Sequence, residues 1–198
     1  FKDGERDSTW TTWYENGNKK FLASYSDGKL NGKYIRWYEG GIIKELDGDY
    51  LNNKKHKKWI YWSKNGQKTE EINYNNGVHQ GSHIKWFGEK SDQHKKFHIN
   101  YKDGNKDGNW HHWYSSGVDS LKATYLNGEK DGHWIWWRKN GLKDKEGFYK
   151  KEKKHGLWTI WNDSTGSAYH KLHEETYVND AIDGCLLYTS PSPRDVEE

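Results

Sequence analysis

The chain has 198 residues, of which 31% are hydrophobic, 31% charged and 16% aromatic, so aliphatic side chains are too few for the centre of a compact domain. Its 13 tryptophans argue against intrinsic disorder, because disordered segments are poor in aromatic residues. The formal net charge of +3 is small, which makes nucleic acid a poor candidate as a partner.

Tryptophan marks the same place in seven successive units: Trp13, Trp37, Trp62, Trp86, Trp113, Trp137 and Trp161. An aromatic residue or histidine lies three residues before each of them: Trp10, Tyr34, Trp59, His83, Trp110, Trp134 and Trp158. A tyrosine marks the other half of each unit: Tyr25, Tyr50, Tyr74, Tyr101, Tyr125, Tyr149 and Tyr177. Such regular recurrence is typical of a repeat protein.

The distances between these markers differ between the two halves of the unit. From a marker tyrosine to the next marker tryptophan the distance is always 12 residues, and Phe1 to Trp13 obeys the same rule. From the tryptophan to its tyrosine the distance varies between 12 and 16 residues. Insertions in repeat proteins map to loops on one side. The constant half therefore predicts a fixed connection, and the variable half predicts a turn that projects from one side.

Each unit is predicted to form two β-strands joined by turns. Segments 59–62 (WIYW) and 134–137 (WIWW) contain the aromatic and β-branched residues typical of strands. Asn-Gly pairs, which supply the positive φ angles of tight hairpins, follow at Asn16-Gly17, Asn65-Gly66 and Asn140-Gly141. Most units have a further glycine seven residues after the tyrosine: Gly32, Gly81, Gly108, Gly132, Gly156 and Gly184. The pattern predicts an all-β fold, an elongated single-ribbon antiparallel array of about seven β-hairpin repeats.

The repeats are predicted to fill residues 1–184, with boundaries near 8–31, 32–56, 57–80, 81–107, 108–131, 132–155 and 156–184. Phe1 occupies a tyrosine position, so we expect the array to be truncated at its N-terminus. The pattern stops before Cys185, and residues 185–195 (CLLYTSPSPRD) resemble translated sequencing-adapter read-through. We therefore expect residues 185–198 to be a disordered, non-native tail on a fragment of metagenomic origin.

The two tryptophans of a unit are predicted to lie on opposite faces of the sheet, because Trp10 and Trp13 are three residues apart in a strand. The face of Trp13 also carries β-branched residues such as Ile35 and is the better candidate for the packed side. The opposite face mixes aromatic and polar residues, as recognition surfaces do, although stacking between repeats explains it equally well. Its candidate binding residues are Trp10, Tyr14, Tyr34, Tyr38, Trp59, Tyr61, His83, Phe87, Trp110, Tyr114, Trp134, Trp136 and Trp158.

Few other residues indicate a chemical site. The lysine runs Lys54–Lys58 and Lys150–Lys154 are interpreted as solvated loops, with contact to anionic lipid as the alternative. The histidines are scattered and there is one cysteine, so no metal or other cofactor is expected. Motifs such as GxSxG and HExxH are absent from the sequence, so no enzymatic activity is expected.

The repeated units resemble the MORN-repeat family in its bacterial variant form. The resemblance rests on units such as 101–117 (YKDGNKDGNWHHWYSSG) and 125–141 (YLNGEKDGHWIWWRKNG), and it extends over residues 1–184. Departures are Asn53, Lys57, Lys90, Glu152 and Asp180, which replace expected glycines. The resemblance implies a curved, extended β-hairpin sheet used for protein contacts. Bacterial variants often carry an antitoxin label, which these residues neither support nor exclude.

The leading functional hypothesis is a non-enzymatic protein-interaction scaffold with an aromatic-rich repeat surface, because repeat arrays present long surfaces for contact. A glycan or cell-wall binding module is the alternative, since exposed rings stack on sugars. Peripheral contact with membrane lipid and antitoxin-type partner binding stay open as further alternatives. No signal peptide is visible, so the compartment stays open between the bacterial cytoplasm and the cell envelope.

Overall fold

The computed structural model of the chain describes residues 4–88, 94–166 and 169–187. Within these ranges the protein is mostly β-strand and contains no α-helix. It divides into two compact units, Phe1–Asn105 and Lys106–Glu198. In each unit, strands that follow one another along the chain pair in antiparallel fashion. The predicted all-β array of antiparallel hairpins is therefore confirmed.

The strands of the first unit are β1 (Ser8–Trp13), β2 (Lys19–Ser26), β3 (Lys29–Trp37), β4 (Lys44–Leu51), β5 (Lys54–Trp62), β6 (Lys68–Asn75), β7 (Val78–Trp86) and β8 (Lys95–Lys102). Those of the second are β9 (Asn105–Trp113), β10 (Asp119–Leu126), β11 (Glu129–Lys130), β12 (Gly132–Trp137), β13 (Lys143–Lys150), β14 (Lys153–Trp161), β15 (Lys171–Val178) and β16 (Ala181–Leu187). β11 is a two-residue strand that pairs with β10 just before the chain enters β12.

The constant half of the sequence unit begins with a two-residue turn after the marker tyrosine. In the turn from β2 to β3, Asp27 and Gly28 have φ angles of 48° and 72°. Two consecutive positive φ angles define a type I′ turn, whose twist matches that of the strands it joins. The same turn recurs at Asn52-Asn53, Asn76-Gly77, Asp103-Gly104, Asn127-Gly128, Lys151-Glu152 and Asn179-Asp180. We call the edge of each unit that carries these turns the fixed edge.

A β-bulge follows the tight turns, in most units at the glycine seven residues after the tyrosine; in β16 the unpaired residue is Asp183, and Gly184 has an ordinary φ. The pairing of β3 with β2 shifts register beside Gly32, and that of β5 with β4 shifts beside Lys57. The φ angles of Gly32, Gly81, Gly108, Gly132 and Gly156 are 102°, 77°, 88°, 91° and 71°. Lys57 takes the same conformation, with φ of 59°, although a side chain disfavours it. Turn and bulge together account for the constant spacing of 12 residues.

Replacing Lys57 with glycine is expected to raise the free energy of unfolding by about 1 kcal/mol, because it relieves the backbone strain of a side chain at positive φ. The matched variant is Gly81→Lys, where an added Cβ would meet no atom within 4 Å, so only backbone strain changes. It should lower the free energy of unfolding by a similar amount. Urea unfolding followed by tryptophan fluorescence measures both; equal stability of the two variants would refute the strain.

The turns of the variable half differ from the tight turns. The Gly17 amide donates to the Tyr14 carbonyl at 3.0 Å, and only the glycine of the Asn16-Gly17 pair has positive φ. The Asn16 side chain instead accepts a hydrogen bond from the Asn18 amide at 3.0 Å. The pairs Asn16-Gly17, Asn65-Gly66 and Asn140-Gly141 therefore do not form the tight type I′ turns that Asn-Gly indicates; the tight turns lie after the tyrosines. We call the edge with these longer turns the variable edge; length variation is found there, as predicted.

Successive hairpins are tied together along the fixed edge. The Gly77 amide donates to the Lys55 carbonyl at 2.7 Å, and equivalent bonds join other neighbouring turns. Three residues that replace a turn glycine add a second tie, because their side-chain oxygens accept from a backbone amide of the preceding hairpin. These pairs are Asn53 with Leu30 at 2.7 Å, Glu152 with Lys130 at 2.6 Å, and Asp180 with Lys154 at 2.8 Å. At these three positions the added hydrogen bond compensates for the loss of the turn glycine.

Burial is concentrated on one face of each unit, the face of Trp10 and its equivalents. The buried hydrophobic residues are Ala23, Leu46, Trp59, Ile72, Ile99, Ala123, Tyr125, Trp134, Trp158 and Tyr177. The register places all of them on this face, since for example Ala23 lies opposite Trp10 and Ile72 opposite Trp59. We call it the packed face, and the side of Trp13 the open face. The prediction that the Trp13 side is the packed one is wrong.

The C-terminal boundary also differs in part from the expectation. β16 runs to Leu187, and Cys185 lies opposite Glu175 of β15. The strand therefore continues three residues into the segment for which a disordered tail was expected. Residues 188–198, Phe1 and Lys90 lie outside the described residues.

Candidate interaction faces

The packed face is built on a tryptophan that lies over a neighbouring strand. The Trp59 side chain on β5 is only 1% exposed, and a Cβ added to Gly48 on β4 would come within 2.3 Å of its indole. Its Nε1 donates to the Asp49 carbonyl at 3.0 Å. Trp158 lies over Gly147 in the same way, with 2.2 Å to such a Cβ. The ring thus covers the backbone, and the residue beneath it must be small.

Gly48 has an ordinary φ, so alanine there tests the contact with the indole alone. Gly48→Ala is expected to lower the free energy of unfolding by about 2–3 kcal/mol, because a buried ring must move to admit the methyl group. The control is Gly40→Ala in the turn from β3 to β4, where an added Cβ meets nothing within 4 Å. Denaturant unfolding of the two variants measures the difference; a Gly48 variant as stable as the control would contradict the packing.

Among the residues with a described structure, a cation lies over the first ring and the marker tyrosine in five of the seven repeats. Lys55 Nζ lies 4.5 Å from the centre of the Trp59 ring and 5.2 Å from that of Tyr74 on the next strand. The arrangement recurs with Arg6 over Trp10 and Tyr25, Lys106 over Trp110 and Tyr125, Lys130 over Trp134 and Tyr149, and Lys154 over Trp158 and Tyr177. A cation over an aromatic face contributes about 0.5–2 kcal/mol, so these side chains join one hairpin to the next.

The lysine runs are therefore not uniform solvated loops. In Lys54–Lys58, Lys55 belongs to the ring stack, and in Lys150–Lys154 the same is true of Lys154. The neighbouring lysines of both runs are exposed on the fixed edge. The periodic position of these cations, four residues before the first ring of each unit, is the signal that could have identified them from the sequence.

Tyrosines directly after a marker tryptophan form ties on the variable edge. The Tyr14 hydroxyl donates to the Trp37 carbonyl at 2.8 Å, and the Tyr38 hydroxyl donates to the Trp62 carbonyl at 2.8 Å. Tyr114 makes the same bond to the Trp137 carbonyl at 2.7 Å. These three tyrosines were predicted to belong to a binding face, and the structure gives them partners within the array.

The other candidate binding residues lie on the packed face and differ in exposure. Trp59, Trp134 and Trp158 are at most 4% exposed, so their rings belong to the interior of the array. The half-buried members of the set are Trp10, Tyr34, Tyr61, His83, Phe87, Trp110 and Trp136. Stacking between repeats, the alternative interpretation of this face, is what the structure shows for the buried rings.

The open face carries a row of marker tryptophans that no other layer covers among the described residues. Trp13 is 59% exposed, and the other six rings are half-buried. Lysines from the preceding strand lie beside some of these rings, with Lys122 Nζ 5.2 Å from the Trp137 centre and Lys143 Nζ 5.2 Å from the Trp161 centre. Because lysine side chains are flexible and solvated at the tip, these covers can be displaced by a partner.

Ion pairs lie beside this row. The Asp47 carboxylate lies 2.7 Å from Lys33 Nζ and 2.6 Å from Lys44 Nζ. Burial alone raises the pKa of Asp47, but the hydrogen bonds and charges of the two lysines lower it more, so the pKa lies below its ordinary value. Lys143 and Glu146 form a similar pair at 2.9 Å in the second unit. The open face thus alternates indole rings with paired charges.

Two shallow cavities supplement these surfaces. One of about 350 Å³ lies on the open face of the second unit, and its polar side chains are Asn109, His111, Lys122, Thr124 and His133. The other, of about 330 Å³, lies on the variable edge of the first unit between Tyr38, Ile43 and Lys64. Ile42, at the tip of the longer turn beside it, is 90% exposed. Both cavities are open to solvent.

No protein-family model matches the chain, and no curated protein matches it. In the described ranges, no group of three or more His, Cys, Asp and Glu side chains is arranged to hold a metal ion. The same part of the chain contains no helix long and apolar enough to cross a membrane.

Proposed function

We propose that this chain is a non-enzymatic protein-interaction scaffold and that its contact surface is the open face. The observation that carries the proposal is the division of the tryptophans between the two faces. Three of the first rings, Trp59, Trp134 and Trp158, are at most 4% exposed, and Trp59 packs on Gly48 of the neighbouring strand. None of the second rings is buried: Trp13 is 59% exposed, and the other six are half-buried. The open face therefore presents part of each of these rings to solvent.

The chemistry of the row favours a protein partner. Tryptophan is enriched among the residues that dominate protein interfaces, where polar contacts surround it. Ion pairs such as Lys44–Asp47 give the open face both signs of charge next to each ring, which suits polypeptide surfaces with side chains of both signs. Repeat arrays present such surfaces over a long distance.

A glycan is the second candidate, because the exposed face of Trp13 can stack on a sugar ring and the neighbouring charged groups can bind its hydroxyls. Anionic lipid is less well supported, since Lys55 and Lys154 are held over aromatic rings. We also propose that the chain is a MORN-like repeat protein. The support for this is the hairpin array itself and its repeat units in register.

The proposal can be tested with a peptide library displayed on phage and selected against the immobilised chain. Selected peptides are then titrated by fluorescence anisotropy against the wild type and the Trp13→Ser, Trp37→Ser double variant. Loss of two interface tryptophans is expected to weaken binding at least about tenfold. The matched control is Lys57→Gly, which lies on the fixed edge and should bind as the wild type does.

Circular dichroism of the double variant checks that the array remains folded, which is expected because Trp13 contributes little to packing. Peptides that bind both forms equally well would place the contact surface elsewhere. If no peptide is selected, and a glycan array instead shows binding that requires Trp13, the protein-scaffold proposal is replaced by the glycan one.

A further inference from the structure

Two repeats lack both the cation and the indole of the ring stack, one with Leu30 and Tyr34 and the other with His79 and His83. Where other units have a pair such as Lys55 and Trp59, the strand β7 has His79 and His83. A permanent charge and a non-titratable ring are thereby replaced by two imidazoles, whose charge changes near neutral pH. Leu30 shows that an uncharged side chain also fits the cation position.

His79 lies within a cluster of rings from three strands. Its ring centre is 4.9 Å from Tyr74 on β6, 5.0 Å from Tyr101 on β8, and 5.8 Å from His83 on its own strand. His83 in turn packs edge-on against Phe97 at 4.9 Å. The neutral imidazoles thus fill the place that the cation and the indole fill elsewhere.

The polar contacts of the pair are confined to one side. His83 Nε2 lies 2.8 Å from Glu70 Oε1, and the two side chains are only 12% and 23% exposed. Lys85 Nζ approaches the same carboxylate oxygen at 3.9 Å. His83 Nδ1 is buried and has no hydrogen-bond partner among the described residues. Within the part of the chain that the structure describes, the hydrogen bonding of His83 therefore depends on Nε2 and Glu70.

We infer that His79, His83 and Glu70 form an acid-sensitive joint that loosens the contact of β7 with β6 and β8 below neutral pH, while the repeats closed by lysine stay packed. Two imidazolium groups in contact, with one carboxylate between them and Lys85, cannot all be paired. The lysine-capped stacks hold no imidazole at this position, so the same change does not arise there. The inference concerns the fold and stands independently of the proposed function.

The groups around His79 determine the direction of the effect. Burial lowers the pKa of His79, His83 and Lys55 on β5 lower it further, and Glu70 on β6 opposes them. The remaining titratable neighbours, Tyr74 and Tyr101, are neutral here because burial raises their pKa values. The unfolded chain therefore takes up a proton near pH 6.5, where the folded chain resists it. The contribution of His79 to the free energy of unfolding is fully present above this pH. It is lost as the pH drops towards the lower pKa that His79 has in the folded chain.

Glu70 responds only in stronger acid. The hydrogen bond with His83 is the largest influence and lowers the pKa of Glu70, against the opposing effect of burial. Its contribution to stability is present above its ordinary pKa and is lost as the pH falls through the lower folded value. A change in stability between pH 7.5 and pH 5.5 therefore reports on the histidines and not on Glu70.

Hydrogen exchange followed by mass spectrometry tests the joint, with rates corrected for the pH dependence of intrinsic exchange. In the wild type, protection of residues 72–86 and 95–102 is expected to fall about three- to tenfold between pH 7.5 and pH 5.5, the limit set by one histidine with an unfolded pKa near 6.5. Residues 143–161, which contain a lysine-capped stack, should show no such change.

The decisive variant is His79→Leu, because leucine occupies the same position in another repeat as Leu30. This variant should keep the same protection against hydrogen exchange at both pH values. His79→Lys, which restores the residue found in other repeats, should do so too and serves if the leucine variant is unstable. The matched control is His133→Gln in the second unit, a half-exposed histidine whose removal should leave the fall at 72–102 intact. A fall of equal size in the His79 variants, or one spread equally over 143–161, overturns the inference.

Discussion

The array depends on one contact, an indole lying on the backbone of the neighbouring strand. A sheet without a second layer has no opposite surface against which its side chains can be buried. In this sheet, side chains are buried against neighbouring strands of the same sheet. Trp59 does so by covering Gly48 and donating its Nε1 proton to the next carbonyl along β4. Lys55 then lies over this ring and over Tyr74 on the following strand. Since each stack joins one hairpin to the next, stability is assembled from neighbour to neighbour.

The same contact explains the rigid half of the sequence unit. For a ring to reach the same place on each preceding strand, the path from the tyrosine through the tight turn and the bulge cannot change in length. Lys57 shows how strong this constraint is, because the bulge keeps its positive φ of 59° even where glycine is missing. The turns of the variable edge lie beyond the stack, and there the chain tolerates insertions such as Ile42.

The sequence was sufficient to predict strands, hairpins and the place of length variation, because these follow from spacing and turn chemistry. It was insufficient to identify the packed face. β-branched residues such as Ile35 favoured the Trp13 side, but burial here depends on the residue below the ring. In the sequence, Gly48 and Gly147 are residues that disfavour a strand; only the structure shows that an indole lies above each of them. Lys55 likewise resembles part of a loop, since a cation over two rings requires partners from two different strands.

When one face of a sheet packs against the sheet's own strands, the residues that stabilise the fold lie on that face. The residues on the other face are more exposed. Substitutions on the packed face remove a ring, the small residue beneath it or the cation over it. Each of these contacts is shared with a neighbouring hairpin. A ring such as Trp13 is 59% exposed, so it can be exchanged at small cost to the fold. The two faces therefore differ in what a substitution costs the fold. A change on the packed face disturbs two hairpins at once, whereas exchange of an exposed ring such as Trp13 disturbs few contacts.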